Sequence, residues 1–110
     1  MTLTKKQLRD LELIKTCPNT LRKDLLKKLP SRSVKAICEC TLNVLKGNVP
    51  LSSYQKKSLS KYKATLRKIG AKKGSLFHKK KLIIQRGGFL NILIPAALSV
   101  LTGLIHGVRN

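Results

Sequence analysis

The sequence changes abruptly from a basic to an apolar composition at the glycine pair Gly87-Gly88. The chain before this pair is rich in lysine, whereas the seventeen residues from 89 to 105 carry no formal charge. Pro95 interrupts this apolar segment, whose polar side chains are Asn91, Ser99 and Thr102. A chain divided in this way can hold a polyanion with one part and contact an apolar surface with the other.

The charge of the chain is strongly one-sided. Its 110 residues contain 24 Lys and Arg against 4 Asp and Glu, which gives a formal net charge of +20. The acids all lie within the first forty residues and are Asp10, Glu12, Asp24 and Glu39. From Lys46 to Arg86 there are thirteen Lys or Arg and no acid. This excess indicates a polyanionic partner, either nucleic acid or an anionic membrane.

Apolar residues recur at helical spacing over the first seventy residues, and the sequence predicts an all-α fold of about four short helices. Thr4 is expected to cap the first helix, and Thr20 the second, which ends at Pro30. Ser31 or Ser33 is expected to cap the third helix, which stops at Gly47-Asn48. The fourth helix is expected to run from Ser52 or Ser53 to Gly70.

The same pattern divides the chain into three parts. We expect a small helical domain over residues 1–70, a basic linker with the glycine pair over 71–88, and an apolar C-terminal helix or arm over 89–110. Within the linker, Ser75 begins either a last short helix or an extended segment. The third and fourth helices form a hairpin, joined by the tight turn at Gly47 to Pro50.

The polar face of the fourth helix and the lysine run that follows it supply the predicted nucleic-acid contacts. Lysine offers a point charge suited to phosphate, whereas base reading usually needs Arg, Asn or Gln, so we expect binding without sequence specificity. Tyr54 and Tyr62 either stack on bases or lie in the core. The predicted phosphate-binding residues are Lys56, Lys57, Lys61, Lys63, Arg67, Lys68, Lys72, Lys73, Lys79, Lys80, Lys81 and Arg86.

Three interpretations of the apolar segment are open. As a transmembrane span it is short, because seventeen residues at about 1.5 Å per residue cover roughly 25 Å of a hydrocarbon layer of about 30 Å. It is otherwise a membrane-disturbing interfacial helix, or a buried helix or arm that fits a groove on a partner. The predicted docking residues are Phe89, Leu90, Ile92, Leu93, Ile94, Leu98, Val100, Leu101, Leu104 and Ile105.

No set of residues in the sequence points to catalysis. Four acids, two histidines and no nucleophile, metal or phosphate-loop motif lead us to expect a protein that is not an enzyme and needs no cofactor. The three cysteines, Cys17, Cys38 and Cys40, have no metal-ligand spacing and follow no signal peptide, so we expect reduced thiols and no bound metal.

Two stretches of the sequence resemble known viral proteins. The segment QRGGFLNILIPAALSVLTGLI, from Gln85 to Ile105, resembles the C-terminal part of the precursors of adenovirus core protein X, the pre-mu proteins. A wider stretch, VKAICECTLNVLKGNVPLSSYQKKSLSKYKATLRKI with the lysine run and the tail, is similar to small proteins encoded beside capsid genes in Polinton and adintovirus elements of animal genomes. The hairpin, the lysine run and the Gly-Gly tail occur there in the same order.

The resemblance implies a minor virion protein that accompanies packaged double-stranded DNA, with viral capsid proteins as partners. It places the protein in the virion, and in the host nucleus during assembly. It also implies processing by an adenovirus-type cysteine protease, which cuts after motifs that end in Gly-Gly. Gln85, Arg86, Gly87 and Gly88 fit such a motif, with cleavage before Phe89.

These observations lead to one main functional hypothesis and two alternatives. We expect a virion core or minor capsid protein that binds the phosphates of double-stranded DNA without sequence specificity, while its apolar tail docks to capsid or membrane. The first alternative is a membrane-active protein that permeabilises a bilayer when the virus enters a cell, with the lysines as its targeting segment. The second is a capsid cement protein bound between capsomers.

Overall fold

The computed structural model describes the backbone from residue 3 to 109 and the side chains from residue 3 to 100. Seven α-helices and no strand occur in this range, so the all-α class is confirmed. The helices are α1 (Lys5–Thr16), α2 (Asn19–Lys27), α3 (Ser31–Leu45), α4 (Ser53–Ser60), α5 (Lys63–Gly70), α6 (Leu76–Gln85) and α7 (Leu90–Arg109). A 3-10 turn, Gly87–Phe89, joins α6 to α7.

Two helices begin with the caps that the sequence predicts. The backbone N–H of Gln7 donates to Thr4 Oγ1 at 3.1 Å, and Gln7 Oε1 accepts from the Thr4 N–H at 2.9 Å. Ser52 and Gln55 form the same reciprocal pair at the start of α4, at 3.1 and 2.9 Å. Each capping box satisfies two backbone donors that a helix start leaves without partners.

Prolines set the starts of α2 and α3, and the predicted caps there are wrong. Pro18 and Pro30 occupy the N-cap positions, and no side chain caps either helix. The fixed φ of proline suits the entry to a helix, so each helix begins directly after its proline. Ser33 instead lies inside α3, where its hydroxyl donates to Asp10 Oδ2 of α1 at 2.7 Å.

The end of α3 is the predicted one and is fixed by Gly47. This glycine has φ 78°, a left-handed conformation that glycine adopts without steric cost. The N–H of Asn48 donates to the Asn43 carbonyl at 2.9 Å, and the N–H of Gly47 donates to the Val44 carbonyl at 3.1 Å. These two bonds form a Schellman motif that ends the helix and turns the chain toward α4.

The predicted fourth helix is broken into α4 and α5, which corrects the single helix expected from Ser52 to Gly70. Ser60 Oγ donates to the Lys57 carbonyl at 2.6 Å and so competes with the helix ladder. Tyr62 then takes φ −109° and ψ 17°, outside the helical range. The break turns Tyr62 toward Phe89, with ring centroids 6.0 Å apart, and leaves α5 to form the hairpin with α3.

Gly70 allows α5 to lie close against α3. A Cβ built on Gly70 would be 2.9 Å from Leu45 Cδ1 and 3.4 Å from Leu42 Cα, closer than side-chain atoms normally approach. The last turn of α5 therefore meets the α3 backbone without a side chain between them. This close contact makes α3 and α5 the most extensively packed pair of helices in the described part of the chain.

The apolar segment after the glycine pair completes the core of the same molecule. The α7 helix packs on α1, α3 and α4, and Phe89, Leu93 and Ala97 are 0% exposed. The other buried apolar residues of this core come from all parts of the chain and include Leu11, Ile14, Leu26, Val34, Ile37, Cys40, Leu66, Ile69 and Ile83. The predicted boundaries after residues 70 and 88 therefore fall within one hydrophobic core.

The α6 helix occupies the predicted linker. Ser75 caps it by accepting from the His78 N–H at 3.2 Å, which selects the helical alternative for this segment. Gly74, with φ 96°, precedes the cap and reverses the chain after α5. Ile83 buries the inner face of α6 against the core. The three lysines Lys79 to Lys81 of the predicted linker therefore lie on a helix.

Arg22 of α2 links three helices. Its guanidinium donates to the Asn91 side chain of α7, and through Nη2 to the Ile14 carbonyl of α1 at 3.1 Å. Arg22 is half-buried, and its two Nη partners replace part of the hydration that the charged group loses, whereas its Nε has no partner among the described residues. Arg22 thus fixes the start of α7 beside α1 and α2.

Candidate nucleic-acid interface

The predicted phosphate-binding residues fall into two groups in the structure. Ten of the twelve are exposed and lie on α4, α5, the loop after α5, α6 and the turn before α7. These ten are Lys56, Lys57, Lys61, Lys63, Arg67, Lys68, Lys72, Lys73, Lys81 and Arg86. Because they are exposed, their charges are available to an approaching phosphate backbone.

Lys79 and Lys80 form hydrogen bonds to backbone carbonyls of other elements. Lys79 is only 8% exposed, and its ammonium donates to the carbonyl of Ala71, the residue that caps the end of α5. Lys80 Nζ donates to the Leu29 carbonyl, beyond the end of α2, at 2.8 Å. Both carbonyls follow helix C-termini, where positive charge is favoured. We therefore assign these two lysines to holding α6 against α5 and α2.

A basic concavity forms where α5, the loop and α6 meet. It has a volume of about 340 Å³, and Lys68, Lys73, His78 and Lys79 contribute to its wall. No Asp or Glu is among the described residues that line it. Lys68 and Lys73 are the exposed cations of this wall, so an anionic group that enters can meet them there. Sequence reasoning did not include His78, which only the helical form of this segment brings here.

The described cations of this surface form no ion pairs. In the described part of the chain, one ion pair is present, between Arg32 Nε and Asp10 Oδ2 at 2.9 Å, and it joins α3 to α1. Partial burial acts to raise the pKa of Asp10, but hydrogen bonds from Arg32 and Ser33 and the charge of Arg32 outweigh it and lower that pKa. The acid is thus held ionised at the opposite end of the sequence from the lysine run.

Cys38 and Cys40 pack in or against the core. Burial, with smaller effects of Glu39 and Cys38, raises the pKa of Cys40 to about 12. Burial also raises the pKa of Cys38, although the charge of Lys79 opposes it. Thiols protonated at neutral pH are poor nucleophiles and poor metal ligands. Among residues 3–100, moreover, no three His, Cys, Asp or Glu side chains lie together in a way that could hold a metal.

The predicted processing motif is folded in a compact conformation. Gln85 ends α6, and Gly87 to Phe89 form the 3-10 turn, with Phe89 fully buried. A Cβ on Gly88 would be 2.6 Å from Tyr62 Oη, so a side chain at this position would displace the Tyr62 hydroxyl. Proteases commonly bind a substrate as an extended strand. Cleavage before Phe89 therefore requires local opening of this turn.

The predicted docking residues are mainly inside the molecule. Phe89, Leu90, Leu93, Ile94 and Leu98 are buried. Ile92 and Val100 are half-buried, and Leu101, Leu104 and Ile105 lie outside the residues whose side chains are described. In this conformation the buried side chains contact α1, α3 and α4 and do not form a surface for a partner.

Over the described residues, no single helix is both long and apolar enough to cross a membrane. The α6 helix and the segment Gly87–Val100 meet the criteria only together, as a pair bent by 80°.

Two aromatic side chains stand on the surface. Tyr54 on α4 is 71% exposed, whereas Tyr62, the other predicted stacking candidate, packs against Phe89. Sequence reasoning missed Phe77, which is 67% exposed at the start of α6. Lys81 Nζ lies 5.4 Å from the centre of its ring. An aromatic residue directly before a lysine run is the signal that could have identified it.

No protein-family model, curated protein or solved structure matches this chain. The resemblance to pre-mu and to the Polinton and adintovirus proteins stays a prediction.

Proposed function

We propose that this chain is a nonenzymatic virion core or minor capsid protein that binds the phosphates of double-stranded DNA without reading its sequence. The observation that carries the proposal is the set of ten exposed cations on α4, α5, α6 and their connections. No acid occurs in the sequence from Lys46 to Arg86, and Glu39 of α3 is the acid that shares a concavity with Lys72. Such a surface is suited to phosphate neutralisation, which supplies most of the affinity of sequence-independent DNA binding.

The shape of the helices supports phosphate contact over base reading. The α4 and α5 helices have eight residues each, and α5 directs Leu66 and Ile69 into the core. A recognition helix places several side chains along a major groove and usually uses Arg, Asn or Gln for base edges. The exposed side chains here are mostly lysines, on short helices separated by a bend. They favour contact with the phosphate backbone.

Because the apolar segment is packed in the core, its buried side chains are not free to contact a partner. Docking of Phe89 or Leu93 to a capsid protein or a membrane requires that α7 first leave the core. The chain that binds DNA is therefore the whole chain, since removal of residues after 88 removes core side chains. Processing before Phe89 by an adenovirus-type cysteine protease, if it occurs, acts on a locally opened form.

A salt series with the intact protein tests the DNA proposal. Binding to a random-sequence duplex, followed by fluorescence anisotropy, is expected to weaken with a slope of log affinity against log salt near −9 if about ten phosphates are neutralised. A slope shallower than about −3 would contradict phosphate neutralisation as the source of affinity.

Two charge-matched variants locate the surface. The first carries Lys68→Ala, Lys72→Ala and Lys73→Ala, around the end of α5, and the control carries three alanines at the exposed α1 positions Lys5, Lys6 and Lys15. Both lose the same net charge. The first is expected to lower the magnitude of the slope by about 3, and the control by less. Equal changes would mean that diffuse charge, and not the α4–α6 surface, binds the duplex.

Virus particles distinguish the main proposal from its alternatives. A protein held by packaged DNA is released when opened particles are treated with nuclease. Retention at a fixed ratio to capsid protein would favour the capsid cement alternative. Dye release from anionic liposomes by the intact chain, with weak DNA binding, would favour the membrane-active alternative.

A further inference from the structure

Phe77 borders a small concavity between α6 and the start of α3. The concavity has a volume of about 230 Å³, and its wall includes the apolar side chains of Leu29, Val34 and Leu76 together with the Phe77 ring. This volume is below the roughly 300 Å³ at which pockets for drug-sized molecules begin. It suits a single flat ring, and we call it the Phe77 slot.

Two lysines of α6 lie at the slot. Lys80 is part of its wall and is fixed there by the bond from Nζ to the Leu29 carbonyl. Lys81 Nζ lies 5.4 Å from the Phe77 ring centre, and the His78 ring packs edge-on at 5.7 Å. Among its described lining residues there is no Asp or Glu. A ligand that enters therefore needs an apolar flat part and a negatively charged part.

Phe77 lies beside the lysine run of α6. Its ring is 67% exposed, with Lys80 in the wall of the slot and Lys81 beside the ring. An apolar slot for a ring thus lies beside a cation that can meet an anion. A nucleotide has this pairing of a flat base with a phosphate.

We infer that the Phe77 slot binds an unpaired base of single-stranded nucleic acid, which stacks on Phe77 while an adjoining phosphate contacts Lys81. The inference rests on the proposed function, because the same surface neutralises phosphates. Bases within a duplex are already stacked and cannot reach the ring, so the slot acts on single strands, overhangs and melted segments. Binding of this kind is indifferent to sequence, because every base has a flat face.

Substitution of the ring tests the inference. Phe77→Ala is expected to weaken binding of a short oligothymidylate by about 5- to 150-fold, the range measured for loss of one base–aromatic stack. Phe77→Leu, which keeps an apolar side chain, is expected to lose most of the same affinity. Neither variant is expected to change binding of a blunt random-sequence duplex. Leu21→Ala is the control, because it removes an exposed apolar side chain on α2, outside the proposed binding surface, and it should leave both affinities unchanged.

The two ligands separate failure of the inference from failure of the proposed function. Unchanged oligothymidylate binding in Phe77→Ala, with duplex binding intact, would overturn the slot and leave the DNA proposal standing. Equal losses for single strand and duplex would also overturn it, since the ring would then serve the general surface. Absence of binding by the unchanged protein to either ligand would reject the proposed function itself. If Phe77→Ala lost binding to phosphatidylserine vesicles and kept its binding to oligothymidylate, the slot would be assigned to lipid and the inference overturned.

Discussion

Leu93→Ala tests whether α7 belongs to the core of the protein in solution. Leu93 is 0% exposed and lies on α7 where that helix packs against α1, α3 and α4. Its replacement removes buried methyl groups and leaves a cavity, which costs about 2–5 kcal/mol at fully buried leucines. A chain of 110 residues has a free energy of unfolding of roughly 5–15 kcal/mol. The substitution therefore removes a large part of the stability.

The matched control is Leu13→Ala on α1. Leu13 is 56% exposed, so the same chemical change removes few contacts and is expected to cost no more than about 0.5 kcal/mol. Urea unfolding, followed by helical circular dichroism at fixed salt, measures both free energies. The slope m should stay constant, because neither variant changes the surface that unfolding exposes.

Equal stability of the two variants would refute the placement of α7. The apolar segment would then be separate from the helical core in solution and available to a capsid protein or a membrane. A large cost at Leu93 alone means that any partner of the segment must compete with the chain's own core. Displacement of α7 exposes Phe89, Leu90 and Ile94 as well, so a partner must supply more than the cost at Leu93.

Two further predictions concern the turn before α7 and the ion pair on α1. Gly88→Ala is expected to destabilise the fold by about 1–3 kcal/mol. The loss should be smaller in a Tyr62→Phe background, which lacks the hydroxyl that the new Cβ would meet. The same loss in both backgrounds would contradict the contact. Folding lowers the pKa of Asp10, because Arg32 and Ser33 bond its ionised form. These bonds stabilise the protein fully above the ordinary pKa of 3.8, and their contribution to stability is lost as the pH falls through the lower pKa of the folded state. Urea unfolding of Asp10→Asn should thus show a flatter pH profile below about pH 5, and parallel profiles would contradict it.

Local signals in the sequence predicted the helix boundaries that depend on neighbouring residues. Thr4 and Ser52 act as caps, and Gly47 ends α3, because each satisfies backbone groups within a few positions of itself. The break at Tyr62 was missed. The apolar residues from 54 to 69 fit one continuous helix, whereas the bend is favoured by the Ser60 bond to the Lys57 carbonyl and by the contact of Tyr62 with Phe89, far along the chain.

The role of individual lysines could not be predicted for the same reason. Lys79 and Lys81 are two residues apart in one run, yet the first is buried at the Ala71 carbonyl and the second is exposed beside Phe77. Composition shows how many charges a segment has. Which of them donate to carbonyls of the chain depends on where α5 and α2 end in space.

The placement of α7, in contrast, had a signal in the sequence. Asn91, Pro95 and Ser99 are spaced four residues apart, so they lie along one side of a helix, and in the structure Asn91 and Ser99 are exposed while Pro95 is half-buried. A polar stripe of this kind is typical of a helix with one side in water and the rest in a protein core. Because α7 carries no charge from residue 90 to 100, it can be buried against α1, α3 and α4 without neutralising partners. The cations of α4, α5 and α6 are thereby left on the outside, which is where a polyanion can reach them.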